Sequence, residues 1–488
     1  MPYDSCFLSP VVRFCYRANL LTTLCLALVS GNAHGQVRDS AERTMPPAAY
    51  QNLARDIFRE LIETNTTHAV GTTRAAEAMA TRLKAGGFPV ADVQVLAPKP
   101  GKENIVVRLR GRGSKRPILI IAHLDVVDAR REDWTADPFA FTEKDGFFYG
   151  RGTSDDKAEC AELVTNFIRL HQEAYVGDRD IVLALTADEE SGGDANGVEW
   201  LLQSHRDLVD PEFAINSDVG GGHLKNGQHL RLLVQAAEKT FLAYRAEATS
   251  PGGHGSMPRK DNPIYRLADA LGRLGNFSFP VRLNETTRAF FERSAPLETG
   301  QIQADMQALA QDPSNTAAAA SLAEASPYYN AIMRTICVAT LIEGGHAVNA
   351  LPQRAQAMIQ CRMLPEDNAD NVEATLRRVL ADSQIVLTAV RRDVTAPVLV
   401  LSPAILRVVE AVVANIWPGT AVIPVMDPWG SDSKHVRKAG LPVYGINGMF
   451  GDPDDIRAHG KDERIRVRSF HEGTEFMYRL LKAFTSAQ

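Results

Sequence analysis

Apolar positions follow two rhythms along this chain of 488 residues. Asn104–Arg110, Pro117–Val127, Asp180–Thr186 and Phe213–Ser217 are short apolar runs without a helical period, the pattern of strands buried on both faces. Between them, apolar residues recur at helical spacing in Ala48–Arg59, Arg74–Gly86, Lys157–Gln172 and Asn196–His205, and Gly86-Gly87 makes a helix stop. Strands alternating with helices predict an α/β sheet covered on both faces. The texture changes after Glu238-Lys239. Phe241–Thr249 alternates, Ser250–Pro258 is rich in turn residues, and Asn262–Leu274 is helical. Residues 285–330 are polar and alanine-rich, which predicts peripheral helices. Strands return at Thr335–Glu343 and Ala355–Leu364, with a helix from Asn371 to Ser383. This block reads as a smaller α+β domain inserted in the first. From Pro397 the α/β texture resumes, with a helix over Ala404–Trp417, a strand near Leu441–Ile446 and a last helix over Glu472–Ala487. The resulting division is a leader over 1–35, a first catalytic segment over 36–239, an inserted domain over 240–396 and a second catalytic segment over 397–488.

The length exceeds what one hydrophobic core needs, in keeping with that division. The formal net charge of −6, without a long basic run, argues against nucleic acid as a partner. At the N-terminus, Arg13 and Arg17 precede the apolar run Leu20–Val29 and the small residues up to Gly35. That order predicts an export signal cleaved near Ala33 or Gly35, and a periplasmic or secreted protein. The alternative is a retained anchor, for which the run is short; after cleavage no stable span remains. Cys6, Cys15 and Cys25 lie in the leader, and Cys160, Cys337 and Cys361 follow it without a Cys-x-x-Cys pair. Cys337 and Cys361 fall on two strands flanking a loop near Asn349. They either pair in an oxidising compartment or stay as two buried thiols.

Candidate chemistry gathers where strands end. His123 and Asp125 close one apolar run, and residues two apart on a strand share a face. A carboxylate beside an imidazole fixes its tautomer and raises its basicity, as a metal-ligating histidine requires. Asp155 precedes a helix, Asp188-Glu189-Glu190 follows the strand ending at Thr186, Asp218 follows the strand through Ile215, and His459 lies in a late loop. In open α/β sheets the carboxyl ends of strands form the ligand crevice. Acids collected there repel one another unless a cation neutralises them.

Seven stretches then occur together and in order: His123-Leu-Asp125, Gly150-Arg-Gly-Thr-Ser-Asp155-Asp-Lys, Asp188-Glu-Glu-Ser-Gly192, Asn216-Ser-Asp218, Gly253-His254-Gly-Ser, Asn349-Ala-Leu-Pro352 and His459-Gly. In these the chain resembles the co-catalytic dizinc hydrolases that include carboxypeptidase G, carboxypeptidase S, aminoacylase, carnosinase and succinyl-diaminopimelate desuccinylase. The resemblance implies a zinc-exopeptidase-like three-layer catalytic domain with an inserted ferredoxin-like α+β domain serving as lid or dimerisation surface. It implies that His123 binds one metal with Asp125 orienting it, that Asp155 bridges both metals, that Glu190 and His459 are further ligands, and that Asp218 completes the site holding His123. Glu189 is the implied general base, and His254 the implied oxyanion stabiliser reaching over from the inserted domain. Asn349, Arg362 and the Gly430-Ser431 turn are the candidates for binding a substrate carboxylate, Arg362 through two parallel hydrogen bonds.

Nitrogen and oxygen donors without thiolate suit two zinc ions, with cobalt or manganese as substitutes. Such a pair, roughly 3.5–4 Å apart, clamps a tetrahedral intermediate from both sides. Two departures stand out: Ala158 follows Lys157 where many relatives have glycine, and Val219-Gly-Gly-Gly follows Asp218. The implied activity is an exported carboxypeptidase or dipeptidase that cleaves an amide beside a free amino-acid carboxylate. An N-acyl-amino-acid amidohydrolase on the same site is the alternative, and a catalytically silent metal-binding module is the reading outside enzymes, against which the intact Glu189 stands. The resemblance also implies a homodimer through the inserted domain.

Overall fold

The computed structural model describes residues 44–191, 193, 195–393 and 401–486. The expected leader and the 396–397 boundary lie outside these. Among the described residues, no helix is long and apolar enough to cross a membrane.

The larger unit is built on a ten-stranded mixed sheet. At its centre, the strand Ile118–His123 runs parallel to both Ile181–Thr186 and Phe213–Asn216. All six of its residues are buried, which explains the unbroken apolar run. Ile118, Ile120 and Ala122 enter one core with the helices Ala48–Glu63, Thr73–Ala85, Lys157–Gln172, Pro403–Ile416 and Val467–Thr485, whereas Leu119 and Ile121 enter a second core under Gly197–Ser204. The helix Gly197–Ser204 starts where the Asn196 side chain accepts the N–H of Glu199. His123 pairs with Thr186, and Ile121 with Asn216. The three strands therefore end at one level, and the residues following each project into one crevice.

The inserted unit has the chain order strand Thr240–Thr249, helix Pro263–Gly275, strands Ile336–Gly344 and Arg354–Met363, helix Ala369–Leu380, strand Ile385–Arg392. In space the second strand borders the third, the third the first, and the first the fourth, all antiparallel. This is the ferredoxin-like arrangement that the resemblance implied. Along Thr240–Thr249 every second residue is buried; Leu242, Tyr244, Ala246 and Ala248 face the two helices.

The segment 285–330 is helical, but it is neither peripheral nor part of the inserted sheet's core. Its helices bury Phe290, Phe291, Met306 and Leu309 against Ile423, Val425 and Met426 of the strand Ala421–Asp427. That strand runs parallel to Gln228–Glu238, so the insertion shields the flank of the large sheet. In the alanine tract the buried face rests on the small side chains of Ala318 and Ala319 together with Leu322, a face without the large apolar residues that mark a core helix.

Cys337 and Cys361 lie opposite one another in register and form a disulfide with a sequence separation of 24; Cys160 is free and buried. In denatured, non-reduced protein only Cys160, of these three, is expected to take an alkylating reagent, and modification of all three would refute the cross-link. Replacing both cross-linked cysteines by serine should lower stability by about 3 kcal/mol, read from denaturant midpoints.

Candidate metal centre

The crevice gathers side chains from five distant parts of the sequence. His123, at the end of its strand, sets Nε2 3.0 Å from Oδ1 of Asp155 and 3.7 Å from Oδ1 of Asp218. His459 approaches from the other side, with Nε2 3.0 Å from Oδ2 of Asp155 and 3.0 Å from Glu190. Asp155 thus gives one oxygen to each histidine, the arrangement a bridging carboxylate needs. Donor atoms of His123, Asp155 and Glu190 lie within 4.8 Å of one another, as do those of His123, Asp156 and Asp218.

Electrostatics explains how these groups coexist. Burial pushes the Asp155 carboxyl up, but hydrogen bonds from His123 and His459 outweigh it and leave its pKa below the ordinary value. Hydrogen bonds to Asp155 and Glu190 raise His459 to about 10. Burial alone would depress His123, yet Asp155 and Asp218 hold it well above an ordinary imidazole. Protons on the two imidazoles offset the collected carboxylates, and protons are what a metal ion displaces when it binds such donors. Imidazole and carboxylate donors without thiolate, set around one shared carboxylate, fit a pair of borderline or hard divalent ions.

Supporting contacts fix this geometry. Nδ1 of His123 bonds the main-chain oxygen of Asp125 at 3.0 Å, while the Asp125 carboxylate is 3.7 Å from that nitrogen. The same carboxylate accepts the N–H groups of Glu189 and Glu190 at 3.2 and 3.1 Å. Asp125 therefore orients His123 chiefly through its main chain and uses its side chain to hold the turn bearing Glu189 and Glu190. Asp188 has a left-handed backbone, φ 67°, and its buried carboxylate is anchored by Lys102 at 2.5 Å and His68 at 2.9 Å. It turns the chain so that the next two residues face the crevice.

Three contributors escaped the sequence reading. Asp156 accepts the N–H of His123 at 2.8 Å; the doubled aspartate was its only signal. Glu463, fully buried, pairs with Arg151 at 2.6 Å and accepts the N–H groups of Gly152 and Ser154, clamping the loop that presents Asp155. Lys102 is tied to Asp188 across 86 positions. Neither Glu463 nor Lys102 carried a signal in the sequence.

Glu189 is partly buried beside this cluster. Burial, aided by the Asp432 carboxylate and opposed by His123, holds its carboxyl well above the ordinary range. It opens into a cavity of about 230 Å³ that also contains Arg362, Gly430 and Lys434. Arg362 lies over the Phe241 ring, 4.9 Å from its centre. A methyl group built on Gly430 would stand 4.0 Å from the Arg362 guanidinium. Ser431 differs from expectation: its N–H and hydroxyl both go to Glu238, at 3.0 and 2.9 Å, so neither is free for a substrate carboxylate. His254 and Asn349 also stand apart. They adjoin on a two-stranded ribbon closed by the Gly255 N–H on the Asn349 oxygen, and His254 bonds Ser256 at 2.8 Å. Both are exposed, and among the described residues neither makes a hydrogen bond or ion pair with the metal-ligating side chains. The sequence motif placed them at the site, but their ribbon belongs to the inserted unit, and that unit's position relative to the sheet decides their reach.

Known proteins resemble this chain in sequence and in fold. The profile of peptidase family M20/M25/M40 matches residues 119–483. The human N-fatty-acyl-amino acid synthase/hydrolase PM20D1 is 27% identical over 390 residues, covering 76% of this chain and 74% of that protein. A probable succinyl-diaminopimelate desuccinylase of Staphylococcus aureus is 27% identical over 291 residues, covering 59% of this chain and 62% of that protein. In fold, the chain resembles the metallo-carboxypeptidase Sso-CP2 of Sulfolobus solfataricus, with a TM-score of 0.65 at 17% identity, covering 88% of this chain and 99% of that one. Human carnosine dipeptidase 1 gives 0.62 at 17% identity, covering 90% and 99%. With three quarters of its length matched and its acids and histidines gathered at the strand ends, the chain belongs to peptidase family M20/M25/M40, hydrolases of peptide and amide bonds.

Proposed function

We propose that this protein hydrolyses the amide bond of N-acyl amino acids whose free carboxylate lies next to the scissile bond. The observation that carries this reading is that Glu189 and Arg362 open into one cavity, so a proton-transferring carboxylate and a carboxylate-gripping guanidinium meet the same ligand. Likeness to the N-fatty-acyl-amino acid hydrolase over three quarters of the chain supports an acyl group on the other side of the bond. A carboxypeptidase or dipeptidase uses the same residues and differs only in what precedes the scissile carbonyl.

His123, Asp155, Glu190, Asp218 and His459 would hold two zinc ions. When bound, such a pair polarises the carbonyl and makes water nucleophilic at neutral pH. Asp155 spans the two histidines and keeps their spacing fixed. Glu189, its pKa raised by burial, takes the proton of the attacking water and delivers it to the departing amine. Arg362 receives the carboxylate through two parallel hydrogen bonds, with its guanidinium steadied on Phe241. Gly430 leaves room beside it.

We also place the mature protein outside the cytoplasm. The charged and apolar leader supports this, and so does the Cys337–Cys361 cross-link, a bond rare in reducing compartments.

Glu189→Gln should lower kcat by about 10²- to 10⁴-fold while leaving bound metal, measured by elemental analysis, at the wild-type stoichiometry; near-normal turnover would remove Glu189 as the base. On metal-loaded protein, N-acyl amino acids should be turned over and their carboxyl-amidated forms should not. Faster cleavage of dipeptides across a panel would move the assignment to the dipeptidase reading. N-terminal sequencing of protein recovered from the exported fraction should begin between residues 34 and 36. An intact Met1 would overturn cleavage.

A further inference from the structure

The cavity in front of Glu189 is lined by five basic side chains, and not all of them have an internal partner. Its acids are already committed. Glu238 pairs with Arg437 at 3.0 Å and accepts both groups of Ser431. Asp393 is held by Arg391 through two bonds of 2.6 and 3.0 Å. Glu190 faces His459, and Glu189 is reserved for the reaction. The Lys239 ammonium is spent on the main-chain oxygens of Ala331 and Arg334, both at 2.7 Å. Two cations remain. Among the described residues, neither the Arg362 guanidinium nor the Lys434 ammonium has an ion-pair or hydrogen-bond partner, although both line the cavity. They come from different units: Arg362 from the inserted sheet, and Lys434 from the first turn of the helix Ser433–Lys438 on the large unit.

Lys434 feels the nearby Glu238, Asp432 and Glu199 carboxylates but bonds none of them, and two cations without a bonded partner lining one cavity favour a ligand that brings matching charge. We infer that the amino acid released by this enzyme is acidic: Arg362 takes its α-carboxylate and Lys434 the carboxylate of an aspartate or glutamate side chain. The inference rests on the amide-hydrolase reading and adds to it the charge of the amine-side product. Arg437 cannot take the role of Lys434, because it is buried and bound to Glu238. A neutral side chain would leave the ammonium without a partner. A basic one would meet it as a like charge.

The test compares N-acetyl-L-glutamate with N-acetyl-L-glutamine, which match in shape and differ in charge, on zinc-loaded protein. The glutamate substrate should have a kcat/KM about tenfold or more higher, carried mainly by KM, as expected for one charge-assisted hydrogen bond. Lys434→Gln should bring the ratio close to one, and Lys434→Arg should keep most of it. The ratio should shrink as ionic strength rises. Equal use of the two substrates, or a preference that survives in Lys434→Gln, overturns the inference. If N-acetyl-L-leucine and N-acetyl-L-glutamine are cleaved as well as the glutamate substrate, the hydrolase reading stands and the inference alone falls. If nothing is cleaved, that reading falls first. Calorimetric binding of L-glutamate against L-glutamine to the same protein then decides the inference separately: tighter glutamate binding that Lys434→Gln abolishes supports it, and equal binding overturns it.

Discussion

One carboxylate shared between two imidazoles organises this molecule. Asp155 offers an oxygen to His123 and the other to His459, residues from opposite ends of the chain. Around it stand Glu190, Asp218 and Asp156, each near enough to repel it. Carboxylates so placed persist only when positive charge or donated hydrogen bonds compensate their lost hydration. The supporting contacts follow from that demand. Glu463 pairs with Arg151 and takes two main-chain N–H groups, so the loop carrying Asp155 has one conformation. Breaking a buried pair of that kind costs about 3–5 kcal/mol, because the partner is left charged and unsolvated. Asp125 spends its side chain on the turn that carries Glu189 and Glu190.

The sheet supplies the stage. Three parallel strands with residues buried on both faces end in register, so short polar segments far apart in sequence emerge within hydrogen-bond reach of each other. The helical insertion from Glu285 to Met333 covers the flank of the strand Ala421–Asp427, whose continuation carries Gly430 and Lys434. An insertion that reads as decoration in the sequence therefore steadies one wall of the cavity in front of Glu189.

The other wall belongs to the inserted unit. Only Lys239 separates the strand Gln228–Glu238 of the large sheet from Thr240–Thr249 of the small one, and its ammonium is fastened to two main-chain oxygens at the end of the helical insertion. Just beyond this crossing, Phe241 carries the Arg362 and Arg391 guanidinium groups at 4.9 and 5.0 Å. The cationic side of the cavity is thus attached directly to the junction between the units.

The sequence by itself determined the elements and, through the motifs that carry its resemblance, named the acids and histidines that the fold brings together. Unbroken apolar runs announced strands buried on both faces, and acids and histidines after those runs marked the crevice, because burial and strand polarity are local properties. It also named Arg362 and Gly430, which line one cavity with Glu189. Only the tertiary structure decided which groups hold the centre in place. Glu463, Lys102 and the carboxylate of Asp156 act through partners tens to hundreds of residues away, and nothing in their neighbourhoods distinguishes them from surface charges. It alone showed that Ser431 is spent on Glu238, that the alanine-rich helices are core, and that Cys337 meets Cys361 across a strand pair. Local patterns state what a residue is able to do. What remains free for a ligand is settled only after every internal partner has been found.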